Sequence, residues 1–143
     1  MKLYIASDHA GFKLKKYLLQ KFSFEDLGPQ GYNKNDDYPD FAEKLARKVA
    51  KEKNSKGVLI CGTGQGISIA ANKVKGVYSA LCYDTKSAKH AKEHNNANVI
   101  SIPASFVTKA QSEKIIKNWL NSNFQRGRHL RRFNKIKKIE KRK

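Results

Sequence analysis

The run Val58-Leu59-Ile60-Cys61-Gly62-Thr63-Gly64-Gln65-Gly66-Ile67-Ser68-Ile69-Ala70-Ala71 decides how the rest of the chain is read. Four apolar or thiol residues lead into three glycines at alternate positions, and an apolar, helix-compatible segment follows. This pattern predicts a buried strand, a tight turn and a helix N-terminus. Glycines at every second position leave the backbone N–H groups open to a ligand. With the helix dipole behind them, those groups form a seat for negative charge. Cys61 and Thr63 stand at its rim.

Outward from this run, strand and helix patterns alternate. Lys2–Ser7 reads as a first strand, and Leu14, Tyr17, Leu18 and Phe22 fall at helical spacing between Gly11 and Phe22. Ser23–Leu27 reads as a short second strand, followed by a Gly28-Pro29-Gln30-Gly31 break and loop to Asp37. Tyr38, Phe41, Ala42, Leu45, Ala46 and Val49 mark an amphipathic helix. After the central strand and its helix come a strand at Val77–Cys82, a helix at Lys86–His94 capped by Asp84-Thr85, and a strand at Asn98–Ile102. Thr108 caps a last domain helix running to about Leu120. The pattern predicts an α/β fold of three layers, a doubly wound, five-stranded parallel sheet in the order 2-1-3-4-5. Residues 1–143 read as one domain, with 126–143 a basic tail whose Leu130, Phe133, Ile136 and Ile139 form one apolar helical edge.

In such sheets ligands bind beyond the C-terminal strand ends where the winding reverses. Between strands 1 and 3 those ends are Asp8-His9 and Cys61-Gly62-Thr63, so two distant segments converge on one crevice. The turn lacks the spacing and the Lys-Ser/Thr end of a Walker loop, and the first strand lacks a dinucleotide fingerprint. A thiol at a helix N-terminus is stabilised as thiolate, which suits a base working near neutrality. Cys82, in mid-strand, reads as core, and two such cysteines suggest no disulfide framework. Arg128 and Arg132, four apart on one helix face, suit a phosphate dianion.

The net charge is +18, half of it from the ten Lys/Arg and one Glu between Arg126 and Lys143. That charge raises a nucleic-acid-binding module as a rival, but such a surface wants aromatics among its basic residues, and the tail offers only Phe133. No stretch is apolar enough to span a bilayer, and the N-terminus does not read as a signal peptide, so a cytoplasmic location without membrane contact is expected.

Five segments together resemble the type B ribose-5-phosphate isomerases: Ser-Asp-His-Ala-Gly-Phe at 7–12, Asp-Tyr-Pro at 37–39, Ile-Cys-Gly-Thr-Gly-Gln-Gly-Ile-Ser at 60–68, His-Asn-Asn-Ala-Asn-Val at 94–99 and Gly-Arg-His at 127–129. The resemblance implies interconversion of ribose 5-phosphate and ribulose 5-phosphate through an enediolate, with no metal or organic cofactor. It also implies a homodimer with shared active sites, often paired into a tetramer, with the apolar edge of the extra C-terminal helix at the dimer contact. By the same resemblance Cys61 is the base, His94 helps open the sugar ring with Asp8, and Thr63 completes the catalytic set. Gly62, Gly64, Gln65 and Gly66 then hold the enediolate oxygens, while Asp8, His9, Tyr38, Thr63 and Asn95 line the substrate. Arg128, Arg132 and His129 meet the phosphate. Two departures stand out: Ser105 lies where relatives often carry a phosphate-binding arginine, for which Lys109 is a substitute, and Asn96 replaces an acid. Galactose-6-phosphate isomerase subunits are related, and galactose or allose 6-phosphate is the alternative substrate.

Overall fold

In the computed structural model, which describes residues 1–142, β3 (Ser55–Cys61) runs through the middle of the sheet. It pairs in parallel with β1 (Lys2–Ser7) along its whole length and with β5 (Val99–Pro103) from Gly57 to Cys61. Successive side chains of a strand point to opposite faces, and here both faces are apolar. Tyr4, Ala6, Leu59 and Cys61 pack against Leu45, Val49, Ile67 and Ala71 of α2 (Tyr38–Lys51) and α3 (Gln65–Asn72). Ile5, Val58, Ile60, Ile100 and Ile102 face the other way. They meet Leu18 of α1 (Phe12–Leu19), Ala88 of α4 (Thr85–Glu93), and Ile115, Ile116 and Trp119 of α5 (Lys109–Leu120). A sheet buried on both faces is what all-parallel pairing requires.

The strand order is β2-β1-β3-β5-β4, with β2 at Glu25–Asp26 and β4 at Ser79–Leu81. This corrects the expected 2-1-3-4-5 at one edge. Val99–Pro103 is buried throughout and can take neighbours on both sides, whereas all three residues of β4 are only half-buried. The short, partly wetted strand therefore takes the edge, as edge strands generally do. The reversal between β1 and β3 is unaffected.

Local signals set the helix starts. Asp84 accepts from Ser87 N at 2.7 Å, Thr108 accepts from Gln111 N at 3.1 Å, and both form reciprocal capping boxes. The basic tail is helical as α6 (Arg128–Lys141). Its apolar edge is divided: Phe133 is buried against Tyr78 and Phe124 of the same chain, while Ile136 and Ile139 are exposed. No helix among the described residues is long and apolar enough to cross a membrane.

One charged side chain lies wholly inside. Lys15 of α1 is 1% exposed and pairs with Asp26 at 2.8 Å while donating to Pro29 O at 2.6 Å. Asp26 also accepts from Gly28 N at 2.9 Å, and Gly28 O accepts from Ser7 N at 3.1 Å. The pair thereby ties the loop after β2 to the end of β1. Removing one partner of a buried pair strands the other charge. Lys15→Ala is therefore expected to lower unfolding stability by about 3 kcal/mol in urea denaturation. Lys13→Ala, exposed on the same helix, should stay within about 0.5 kcal/mol of the parent.

Candidate active site

The end of β3 is shaped by what its glycines leave out. Gly64 has φ +71°, and a Cβ there would lie 2.6 Å from Leu81 Cδ1 and 3.1 Å from Pro103 N. A Cβ on Gly66 would lie 2.5 Å from the Tyr38 ring, which covers the first turn of α3. The turn is thus pressed against β5 on one side and against Tyr38 on the other. Ala104 N and Ser105 N donate to Cys61 O and Gly62 O, both at 2.9 Å, latching the turn to the loop after β5.

Cys61 is buried at this strand end, and Gly64 N–H donates to its Sγ at 3.2 Å. Thr63 and Gln65 are exposed at the rim, with Gln65 N–H donating to Thr63 Oγ1 at 3.3 Å. The first turn of a helix leaves its N–H groups without carbonyl partners. Those of α3 therefore face the same crevice as the sulfur. Ser105 Oγ flanks Gly62 from the far side, 3.5 Å from where a Cβ would stand.

Asp8 and His9 join this site from the end of β1. Asp8 N–H donates to Ile60 O at 3.2 Å, which brings the two strand ends together. The Asp8 carboxylate is buried, accepts from Gly11 N at 3.1 Å, and is pushed above the usual aspartate range chiefly by burial. His9 Nδ1 lies 2.7 Å from Asp36 Oδ1, and that hydrogen bond raises the imidazole above its ordinary value. Asp36 was not among the expected site residues; its loop reads only as a polar connection. Its Oδ2 is buried without a hydrogen-bond partner. Cys82 is core: burial pushes its thiol up to about 12.

The remaining expected residues gather elsewhere. His94 ends α4, stacked between His90 (4.4 Å, 17°) and His129 (4.3 Å, 8°). His129 is buried in the first turn of α6, held below its ordinary value first by burial and then by His94, Arg128 and Arg132. Arg128 and Arg132 are exposed beside it, as is Asn95. Asn96 takes φ +49° and accepts from Lys92 Nζ at 2.8 Å, so an amide serves where an acid was expected. This cluster lies at the opposite end of the sheet from Cys61. The helix α4 descends from the C-terminal end of β4 to the start of β5, and its nine residues span about 13 Å. The chain therefore carries two separate clusters, one with the thiol and one with the stacked imidazoles and arginines.

A doubly wound parallel sheet with a thiol and open N–H groups at its switch point has the layout of an α/β protein that binds a small molecule there. The chain is a member of the Ribose/Galactose Isomerase family, whose sequence model matches residues 3–136. It is 47% identical to ribose-5-phosphate isomerase B from Mycoplasma genitalium, whose crystal structure holds bound ribulose-5-phosphate; the TM-score is 0.93 over 99% of this chain and 97% of that one. Ribose-5-phosphate isomerase B from Clostridium thermocellum is 43% identical with TM-score 0.93 over 99% of each chain. A D-erythrulose-4-phosphate isomerase from Pectobacterium atrosepticum is 38% identical over 89% of this chain and 87% of its own. The protein is thus an isomerase.

The His9–Asp36 contact has a pH signature. Because Asp36 raises His9, the contact stabilises the fold fully below the ordinary histidine range, and the contribution fades as pH rises through the raised value. Imidazole NMR titration should show Asp36→Asn returning His9 toward its ordinary value; an unmoved titration would remove Asp36 as the cause.

Proposed function

We propose that the chain interconverts ribose 5-phosphate and ribulose 5-phosphate at a site shared between two copies. The observation that carries this reading is the Cys61 sulfur seated against the Gly64 N–H, at the mouth of the open first turn of α3. Isomerising an aldose to a ketose moves one proton between adjacent carbons while charge develops on the neighbouring oxygens. A single base between the two carbons, with fixed N–H donors aimed at those oxygens, supplies both needs. Cys61 is that base, and Gly62, Gly64, Gln65 and Gly66 form the enediolate cradle. Thr63, Asp8, His9 and Tyr38 line the same crevice, and Tyr38 shields the cradle from water. The Mycoplasma genitalium relative with bound ribulose-5-phosphate supports the choice of sugar.

His94 assists ring opening, acting with Asp8, and Arg128, Arg132 and His129 hold the phosphate, with Asn95 on the substrate between them. Within one chain these groups stand a helix length from Cys61, so a second copy delivers them. A two-fold dimer then contains two sites, each with the thiol of one protomer and the imidazole of its partner. Single-chain geometry thus supports the expected homodimer, and its pairing into a tetramer follows only from the resemblance. The excess positive charge draws a phosphate dianion as readily as a nucleic acid. The four-carbon isomerase relative makes chain length of the sugar the point to test.

Coupled assays on ribose 5-phosphate, erythrulose 4-phosphate, allose 6-phosphate and galactose 6-phosphate should give the highest kcat/KM with ribose 5-phosphate. Cys61→Ala is expected to lower kcat by about 10³-fold while sugar-phosphate binding survives; full activity would remove the proposed base. Arg128→Ala should raise KM about tenfold or more with little change in kcat, as loss of one charge-assisted contact predicts. Mixing Cys61→Ala with His94→Ala chains under exchange should restore about a quarter of the parent activity, since half the dimers are mixed and each carries one intact site. No recovery on confirmed mixing would show that the two half-sites do not meet across an interface.

A further inference from the structure

The last turns of α4 read His90-Ala91-Lys92-Glu93-His94. His90 and His94 are four apart and Glu93 is three from His90, which puts all three side chains on one side of the helix. One donor atom from each lies within 4.8 Å of the other two. All three residues are half-buried, so their rotamers are restricted before any ligand arrives. Nothing else claims them: among the described residues the Glu93 carboxylate has no hydrogen bond or ion pair, and neither does the His90 or the His94 ring. The His94 ring is held in place by stacking on both faces.

We infer that His90, Glu93 and His94 form a binding site for a divalent transition-metal ion of the zinc class, and that filling it withdraws His94 from the isomerase reaction. Two imidazoles and one carboxylate are a donor set such ions accept in tetrahedral geometry, with the fourth position left to water. Donors already within 4.8 Å of one another must close to the roughly 3.3 Å that a tetrahedron of 2.0–2.1 Å Zn–N bonds requires, and the His90 and His94 rings must turn out of their stack for both nitrogens to point at one ion. Of the three, His90 also borders the open cavity lined by Leu81, Asp84, Ser87 and Asn95. Arg128 and Arg132, which act on the His129 ring stacked on His94, put positive charge near the cluster, and that disfavours hard cations bound by charge alone. Ions that bond to neutral imidazole nitrogen keep an advantage there.

The consequence for activity rests on the reading of His94 as the ring-opening group, whereas the binding itself does not. A metal-bound His94 nitrogen has its lone pair occupied and cannot pass a proton to or from the sugar.

The test therefore has two arms. In the first, Co²⁺ is titrated into metal-free Cys61→Ser protein, which removes the thiol as a competing ligand, and visible absorption is followed. One Co²⁺ per chain is expected, with affinity at least tenfold lower in the same protein carrying His90→Ala or Glu93→Gln. No binding at millimolar Co²⁺, or equal affinity in the His90→Ala protein, overturns the site whether or not the chain is an isomerase. In the second, Zn²⁺ should inhibit the parent enzyme reversibly with EDTA, while Mg²⁺ does not. Glu93→Gln, which leaves the His90–His94 stack in place, should keep the parent turnover without metal and need at least tenfold more Zn²⁺ for the same inhibition. Equal inhibition of both would place the inhibitory metal elsewhere, at Cys61 above all, and overturn the regulatory part.

Discussion

Gly64 occupies a place that no other residue fits. Its φ of +71° is costly for a side chain, and a Cβ would strike both Leu81 and the backbone at Ile102 and Pro103. That close approach lets the ends of β3, β4 and β5 meet, and it turns the Gly64 N–H onto the Cys61 sulfur. The latch of Ala104 and Ser105 onto Cys61 and Gly62 depends on the same approach. So does the seating of Tyr38 over Gly66, since α3 must start where it does. The thiol is consequently held by backbone contacts, and its surroundings are set with little reliance on side-chain ordering.

Acids and bases are used unequally. The chain has 30 Lys/Arg against 12 Asp/Glu, and many of the acids are engaged in internal contacts. Asp26 serves Lys15, Asp36 serves His9, Asp84 caps α4, and Asp8 caps the short turn before α1. With those carboxylates engaged by groups of the same chain, the surface keeps an excess of cations. An anionic substrate is steered by such a field at low ionic strength and less so as salt screens it.

Much of the architecture could be read from period alone, because β3, α2 and α5 carry clean patterns and α4 and α5 carry capping signals. The exchange of β4 and β5 could not. Both are short, moderately apolar runs, and what separates them is burial on both edges, which only the assembled sheet defines. The convergence of Asp8-His9 with Cys61 followed from topology, since the switch point depends on β1 and β3. Asp36 was invisible because a loop aspartate has no period to betray its target. The His90–His94–His129 stack was hidden for another reason: its third ring enters from α6, and a stacking contact across that separation leaves no local signal.

The C-terminal helix is fastened at both ends. His129 lies on His94 at one end, and at the other Glu140 accepts from Gly76 N at 2.8 Å and from Tyr78 Oη at 2.9 Å. Between them Phe133 is packed on Tyr78. A rod pinned twice has no freedom to swing, so Arg128 and Arg132 are aimed in part by a carboxylate about 18 Å and about 12 Å away from them along the axis. Trimming the chain back past Glu140 would cut that distant mooring. The arginines would keep their chemistry and lose their bearing, much as a crane keeps its hook when its rear stay is released.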